Sequence, residues 1–278
     1  MMEATRQFAS VNGITLSYFD VGAGEPVLLL HGFPDDALIW AEQVDALVAA
    51  GYRCIVPDLR GFGESEAPTD RNAYRASEVV ANLIGLLDHL ALPQVSLIGH
   101  DWGSVIGWIL VGNHADRVKR YVALSVGHPN AYARAGLRQK LKGYYIFIFK
   151  TPKFAEWALL RNNGAALRRI APTALVGNHW IESMKRPGRL TAALNYYRAN
   201  GWWLGYMASP RIHVPVLGIW SDQDVALAED QMVNSARYMA ADWRYERVEG
   251  AAHWLMLSHA AQVNALILDY LGASLPNA

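Results

Sequence analysis

The residues best suited to chemistry lie in Val95-Ser96-Leu97-Ile98-Gly99-His100-Asp101-Trp102-Gly103-Ser104, where an apolar run leads into G-x-D-x-G. This is the pattern of a nucleophile elbow, a sharp strand-to-helix turn, with aspartate where a serine hydrolase carries serine. The flanking glycines suit a turn that leaves little room for side chains. A helix N-terminus stabilises a carboxylate as its anion, so Asp101 is placed to act as a nucleophile that forms an ester. The plainer reading of Asp101 is a helix N-cap, a role that Asp often fills.

An aspartyl ester persists until water attacks it, so the nucleophile needs a base. His253 sits in Glu249-Gly250-Ala251-Ala252-His253-Trp254, after the strand-like Tyr245-Glu246-Arg247-Val248 and just before a helical stretch. Imidazole titrates near neutral pH and can take a proton from water. Of the nine histidines, His253 is the one on the loop directly after the last strand, which completes the chain order nucleophile, acid, histidine. The acid should follow the strand before it, where Gly218-Ile219-Trp220-Ser221-Asp222-Gln223-Asp224 offers two carboxylates. Nearer the N-terminus, His31-Gly32-Phe33-Pro34 can present a backbone N–H toward the same sheet end, as one half of an oxyanion hole.

These residues need a frame. Asn12-Gly13 between alternating apolar positions signals a β-hairpin over residues 8–19. Continuous apolar runs follow at 27–30, 53–56, 95–98, 121–124 and 216–220, as expected of strands covered by helices on both faces. Helix-period stretches near 39–50, 76–91, 103–115, 228–239 and 255–272 lie between or after them. Strand and helix alternate, which argues for a mostly parallel sheet wrapped by helices. The alternation breaks between about His128 and Ile212. That stretch is rich in aromatic residues, among them Tyr132, Tyr144, Tyr145, Trp157, Trp180, Tyr196, Tyr197, Trp202, Trp203 and Tyr206, and Pro129, Pro152, Pro172, Pro187 and Pro210 divide it. It reads as a helical insertion, suited to packing or to a lid over an apolar pocket.

With 278 residues, 52% hydrophobic and 18% charged, the chain can bury a large core and is neither disordered nor of low complexity. Lys plus Arg equals Asp plus Glu at 25 each, which leaves no overall basic excess for nucleic acid or anionic membrane. The one cysteine, Cys54, makes neither an intrachain disulfide nor a zinc site and fits a buried strand. The first residues lack the apolar core of a signal peptide, and no run of about 18 apolar residues occurs, so a cytoplasmic protein is expected.

Along nearly its full length the chain resembles proteins of the α/β-hydrolase fold, and specifically the epoxide hydrolase branch, which shares its aspartate nucleophile with haloalkane dehalogenases. Three motifs carry the resemblance: the H-G-F-P turn at His31 to Pro34, the D-x-R-G-x-G-x-S segment at Asp58 to Ser65, and the G-H-D-W-G elbow at Gly99 to Gly103. The resemblance implies a hydrolase core in two parts, 1–127 and 213–278, with a helical lid at 128–212. It selects Asp224 as the orienting acid and leaves Asp222 as a turn residue. It further implies two lid tyrosines that hydrogen-bond an epoxide oxygen and supply its proton. Asn195-Tyr196-Tyr197-Arg198 matches the second, giving Tyr197. Tyr145, followed by an aromatic run and Pro152, matches the first, with its neighbour Tyr144 as the rival.

The expected reaction opens an apolar epoxide to a vicinal diol. Asp101 forms the ester, His253 oriented by Asp224 activates water, and the backbone N–H groups of Phe33 and Trp102 hold the oxyanion. His31, Pro34, Trp102, Tyr144 and Tyr196 are expected to contact the substrate. No metal or organic cofactor is implied, and the expected partner is a small hydrophobic epoxide, with no nucleic acid or membrane, bound by a monomer or homodimer. Haloalkane dehalogenation is the nearest rival, but Phe33 stands where that chemistry wants an Asn donor, which leaves Trp102 and a lid residue such as Trp157. A serine esterase fails at Asp101. A non-catalytic ligand-binding protein of the same fold would be expected to lack one or more reacting groups, and none is missing.

Overall fold

The computed structural model describes residues 4–201 and 211–272, so Trp202, Trp203, Tyr206 and Pro210 lie outside the described residues. The chain opens with strands β1 (Gln7–Val11) and β2 (Ile14–Gly22), hinged at Asn12-Gly13, and β3 (Glu25–Leu30) follows. Next come α1 (Ala41–Ala49), β4 (Tyr52–Pro57), α2 (Ala76–His89), β5 (Val95–His100), α3 (Trp102–Asn113) and β6 (Val118–Leu124). Among the described residues, six helices succeed one another before the sheet resumes: α4 (Pro129–Ala133), α5 (Leu137–Lys142), α6 (Tyr145–Phe149), α7 (Phe154–Ile170), α8 (Ala174–Lys185) and α9 (Arg189–Ala199). The chain then returns through β7 (Val216–Ser221), α10 (Glu229–Val233), β8 (Trp243–Val248), α11 (Leu255–Ser258) and α12 (Ala260–Leu271).

The strands form one eight-stranded sheet in the order β1-β2-β4-β3-β5-β6-β7-β8. The β1–β2 and β2–β4 pairs are antiparallel and all pairs from β3–β4 onward are parallel. The central strands read as unbroken apolar runs because both faces are covered. Leu28, Leu30, Ile55, Leu97 and Ala123 pack into one core, while Val27, Leu29, Cys54, Val56, Ile98 and Val122 pack into the other. The Cys54 thiol is buried in this second core, and burial pushes its pKa up to about 12.

The direction of winding changes between β3 and β5, which are neighbours in space, and clefts outside the carboxyl ends of parallel strands form at such points. The turn after β3 and the elbow after β5 therefore meet. They meet at close quarters: a Cβ on Gly103 would lie 2.0 Å from the Leu30 carbonyl oxygen, and one on Gly32 would lie 2.4 Å from Asp101 Cβ. The Asp58–Ser65 segment braces this end of the sheet. The Asp58 carboxylate accepts from Ala37 N at 2.9 Å, Glu64 N at 2.9 Å, Ser17 Oγ and Arg6, while Ser65 Oγ donates to the Asp58 carbonyl at 2.6 Å.

Two expected helices are broken in the structure. The stretch expected at 228–239 divides into α10 and a 3-10 turn over Asn234–Tyr238, and that expected at 255–272 is interrupted at His259 between α11 and α12. Within α7, Asn162, Asn163 and Gly164 take positive φ and kink the helix, a conformation that Asn and Gly tolerate best.

Candidate active site

Asp101 sits at the junction of β5 and α3 with φ +51° and ψ −120°, a conformation that only a tightly packed turn sustains in a non-glycine residue. Its Oδ1 accepts a hydrogen bond from the Phe33 backbone N–H at 2.8 Å. Its Oδ2 faces His253 Nε2 at 3.7 Å, an ion-pair separation rather than a hydrogen bond. The carboxylate is thus held by one oxygen and left open at the other. Trp102 begins α3, so its backbone N–H belongs to the first turn, whose donors find no acceptor within the helix.

His253 comes from the loop after β8 and Asp224 from the loop after β7, the strands that pair beside β6. His253 Nδ1 bonds Asp224 Oδ2 at 2.8 Å, and Asp224 Oδ1 accepts from the N–H groups of Ala226 at 2.8 Å and Leu227 at 2.9 Å. Three donors fix that carboxylate. Asp222 turns elsewhere, accepting from Gly250 N at 2.7 Å. Burial alone would lower the His253 pKa, but the carboxylates of Asp224 and Asp101 on either side push it up to about 10. Burial works to raise Asp101 and Asp224, and His253 together with the backbone N–H donors on each carboxylate outweighs it, leaving both below the ordinary aspartate value.

Tyr145 and Tyr197 stand over this triad from α6 and α9, with ring centroids 6.4 Å apart. Phe149 packs against both, and Tyr197 also meets Phe33 at 5.7 Å and Trp102 at 5.1 Å, edge to face. Burial, with the charge of Asp101 adding to it, raises both phenols well above their ordinary value, so both remain protonated donors.

The structure does not bring every expected contact residue to the site. Tyr144 is 66% exposed, because adjacent residues on a helix point about 100° apart and Tyr145 takes the inward direction. Tyr196 is fully buried among Phe62, Tyr74 and Trp102, and its hydroxyl donates to the Arg60 carbonyl at 2.9 Å, so it is core packing rather than a substrate contact. His31 is also sealed in: Nε2 accepts from Leu59 N at 2.9 Å and Nδ1 meets the Gly32 carbonyl at 2.9 Å. It ties two turns together. Pro34 is buried in the turn after β3. The Trp102 ring meets that of Tyr197 edge to face.

Three residues escaped the sequence reading. Asp35 is buried and accepts from two indoles, Trp180 Nε1 at 2.8 Å and Trp254 Nε1 at 2.9 Å, and its burial pushes its pKa up to about 7. Its signal was an acidic doublet, Asp35-Asp36, directly after the H-G-F-P turn. Arg198, next to Tyr197, has a side chain that is only 5% exposed. It donates to both oxygens of Glu156 at 2.7 and 3.0 Å and to the Phe149 carbonyl at 3.0 Å. His100, beside Asp101, packs on the His253 ring at 4.6 Å and bonds its carbonyl through Nε2 at 2.9 Å. Among the described residues no group of three or more His, Cys, Asp and Glu side chains could hold a metal ion. Nor is any described helix long and apolar enough to cross a membrane.

Comparison with known proteins places this architecture. Residues 25–260 match the family model for the alpha/beta hydrolase fold. A Bacillus subtilis AB hydrolase superfamily protein is 33% identical over 95% of this chain and 97% of its own length. Epoxide hydrolase A of Mycobacterium tuberculosis is 31% identical over 96% of this chain and 97% of its own. The crystal structure of epoxide hydrolase A from Mycobacterium thermoresistibile superposes with a TM-score of 0.85 at 28% identity, covering 98% of this chain and 100% of that one. The chain belongs to the α/β-hydrolase fold family, in its epoxide hydrolase branch.

Proposed function

We propose that the chain is a cytoplasmic epoxide hydrolase that converts an apolar epoxide to a vicinal diol through an ester on Asp101. The observation that carries the reading is the division of labour on one carboxylate. Asp101 Oδ1 is pinned by the Phe33 N–H, while Oδ2 is open toward the space beneath two protonated phenols. In the first half-reaction Oδ2 attacks one epoxide carbon and that carbon's bond to the ring oxygen breaks. The oxygen takes a proton from Tyr145 or Tyr197 as its charge develops, which is where a positioned acid accelerates most. In the second, His253 Nε2 takes a proton from water, which attacks the ester carbonyl. The oxyanion that forms at Oδ1 is met by the N–H groups of Phe33 and Trp102. Collapse releases the diol, and the two protons of the water end on the diol and on the phenolate.

The apolar wall of Phe33, Phe149 and Trp102 around the phenols supports a hydrophobic substrate. Haloalkane dehalogenation finds less support. Phe33 offers no side-chain donor, and Trp157 is 55% exposed on the far surface of the helical insertion.

The test is the intact mass of the His253→Gln variant after incubation with styrene oxide and, separately, with 1-bromobutane. The expected result is a mass gain equal to the whole epoxide, absent in Asp101→Asn. An adduct from the bromide alone would transfer the chain to the dehalogenases.

A further inference from the structure

The balance of charge over the whole chain conceals a local imbalance. Between Arg134 and Ile170 lie nine of the 25 Lys and Arg, against one of the 25 Asp and Glu. That one acid, Glu156, is already occupied by Arg198. The same segment exposes a row of large apolar side chains: Leu137, Leu141, Tyr144, Phe147, Phe154 and Trp157 are each between 51% and 77% exposed. The first four are spaced four, three and three residues apart, which puts them on one side of the helical course through α5 and α6. Backbone bonds from Tyr144 N to the Leu141 carbonyl and from Phe147 N to the Tyr144 carbonyl carry that course between the two helices. Phe154 and Trp157 stack at 5.6 Å at the start of α7, which packs against α6.

The inward side of the same helices is committed to the molecule. Gln139 is buried and holds the Ala226 and Ala228 backbone, and Tyr145 and Phe149 form the wall of the site. An outward apolar row of this size does not need to exist for folding and marks a surface meant to be covered. Exposed Arg138, Lys140, Lys153 and Arg161 lie in the same segment. Apolar side chains flanked by long cationic ones, on helices lying flat against a body, are the composition of an interfacial membrane surface.

We propose that the outer face of α5, α6 and the first turns of α7 docks on an anionic phospholipid bilayer. The charge selects this occupant over the alternatives. A second copy would bring two faces of the same strong positive sign together, which costs association rather than favouring it. Single-stranded nucleic acid wants an unbroken series of stacking platforms, whereas this row mixes the aliphatic Leu137 and Leu141 with the aromatic Tyr144, Phe147, Phe154 and Trp157, a mixture that suits lipid. Docked this way, the bilayer is separated from Tyr145 and Phe149 by the thickness of one helix, so an apolar substrate dissolved in lipid would lie next to the site. The lipid contact itself is independent of which reaction the site performs.

The test is flotation of the full chain with vesicles of phosphatidylcholine alone and of phosphatidylcholine mixed with phosphatidylglycerol. Binding is expected on the mixed vesicles, weakened by salt, and at least about tenfold weaker on phosphatidylcholine alone. The double variant Leu141→Ser/Phe147→Ser should weaken binding by about tenfold or more, since each loses an apolar side chain from the interface. Arg138→Glu/Lys140→Glu should lower it on the anionic vesicles while leaving the circular dichroism spectrum and thermal midpoint unchanged. No binding to either vesicle, or binding indifferent to both double variants, overturns the proposal. So does concentration-dependent dimerisation, or retention of a single-stranded oligonucleotide, abolished by the same substitutions, because either would assign the face to another partner.

Discussion

At the scale of single residues the arrangement poses an electrostatic question. A histidine with a pKa of about 10 is an imidazolium at neutral pH and cannot take a proton from water, yet the proposed second half-reaction asks it to. Asp101 supplies the answer. Once it is an ester it carries no charge, one of the two carboxylates that hold the proton on His253 vanishes, and the imidazole returns toward the range where it acts as a base. In the proposed reaction the base would therefore be armed by the step that creates its target. Asp101→Asn mimics the loss of charge, so the His253 pKa measured from its imidazole carbon-bound protons by NMR titration should drop from its wild-type value. Stability should follow with the matching sign. A folded-state pKa raised from 6.5 to about 10 contributes stability that is complete below about pH 6.5 and is lost as pH rises through about 10. In Asp101→Asn that loss should occur at lower pH. An unchanged titration in the variant would mean that Asp224 alone holds the proton, and the arming idea would fail.

At the scale of elements, the placing of Tyr197 depends on a contact that joins three helices. Arg198 follows it on α9 and reaches Glu156 on α7 and the Phe149 carbonyl at the end of α6, the helix that begins with Tyr145. The two phenols are thus set relative to each other by a fork of N–H donors, a geometry that a lysine cannot reproduce. Arg198→Lys is expected to lower the rate of ester formation by about tenfold to a hundredfold, as misplacement of a catalytic group by a fraction of an ångström does. The thermal midpoint should fall by only a few degrees. Rapid-mixing measurement of ester build-up in the His253→Gln background would show it, and a rate equal to the parent's would remove Arg198 from the positioning of the phenols. This contact also explains what sequence reading reaches and what it misses. The strands were legible because burial on both faces writes itself as consecutive apolar residues, and Asn12-Gly13 announced the hairpin. The G-x-D-x-G pattern was legible because backbone approaches of 2.0 Å and 2.6 Å to a would-be Cβ admit only glycine at Gly103 and Gly99. Arg198 was not, because Glu156 lies 42 residues away and nothing local distinguishes an internal ion pair from a solvated one. Tyr144 and Tyr145 could not be separated by type, and His31 and Tyr196 read as substrate contacts because partners that seal them in, Leu59 N and the Arg60 carbonyl, lie far away in the chain.

At the scale of the whole molecule, the sheet delivers its chemistry at the carboxyl ends of its parallel strands while the helical insertion must be held over it. Asp35 does part of that holding. From the turn after β3 it accepts one indole from α8 and another from the residue after His253, and His179 of α8 bonds Asp36 Oδ2 at 2.6 Å beside it. Insertion, oxyanion turn and histidine loop therefore meet on a single buried carboxylate, with the Trp180 and Trp254 rings 4.8 Å apart. The sign of its pH dependence follows from its burial. A carboxyl whose folded-state pKa is raised from 3.8 to about 7 contributes stability that is complete below about pH 3.8 and is lost as pH rises through about 7. The two indole donors oppose that shift by stabilising the anion. Trp180→Phe removes one donor while keeping an aromatic ring in place, so the anion is left short of a partner and the protonated form is not. The penalty should grow with pH, from small at pH 5 to about 1–3 kcal/mol above pH 8, the usual cost of a buried acceptor that loses its donor. Urea unfolding of both proteins at the two pH values measures it. The His179–Asp36 pair titrates in both and cancels in the difference. A penalty that is the same at pH 5 and pH 8 would reduce Trp180 to a packed ring and leave the insertion held by its apolar contacts alone.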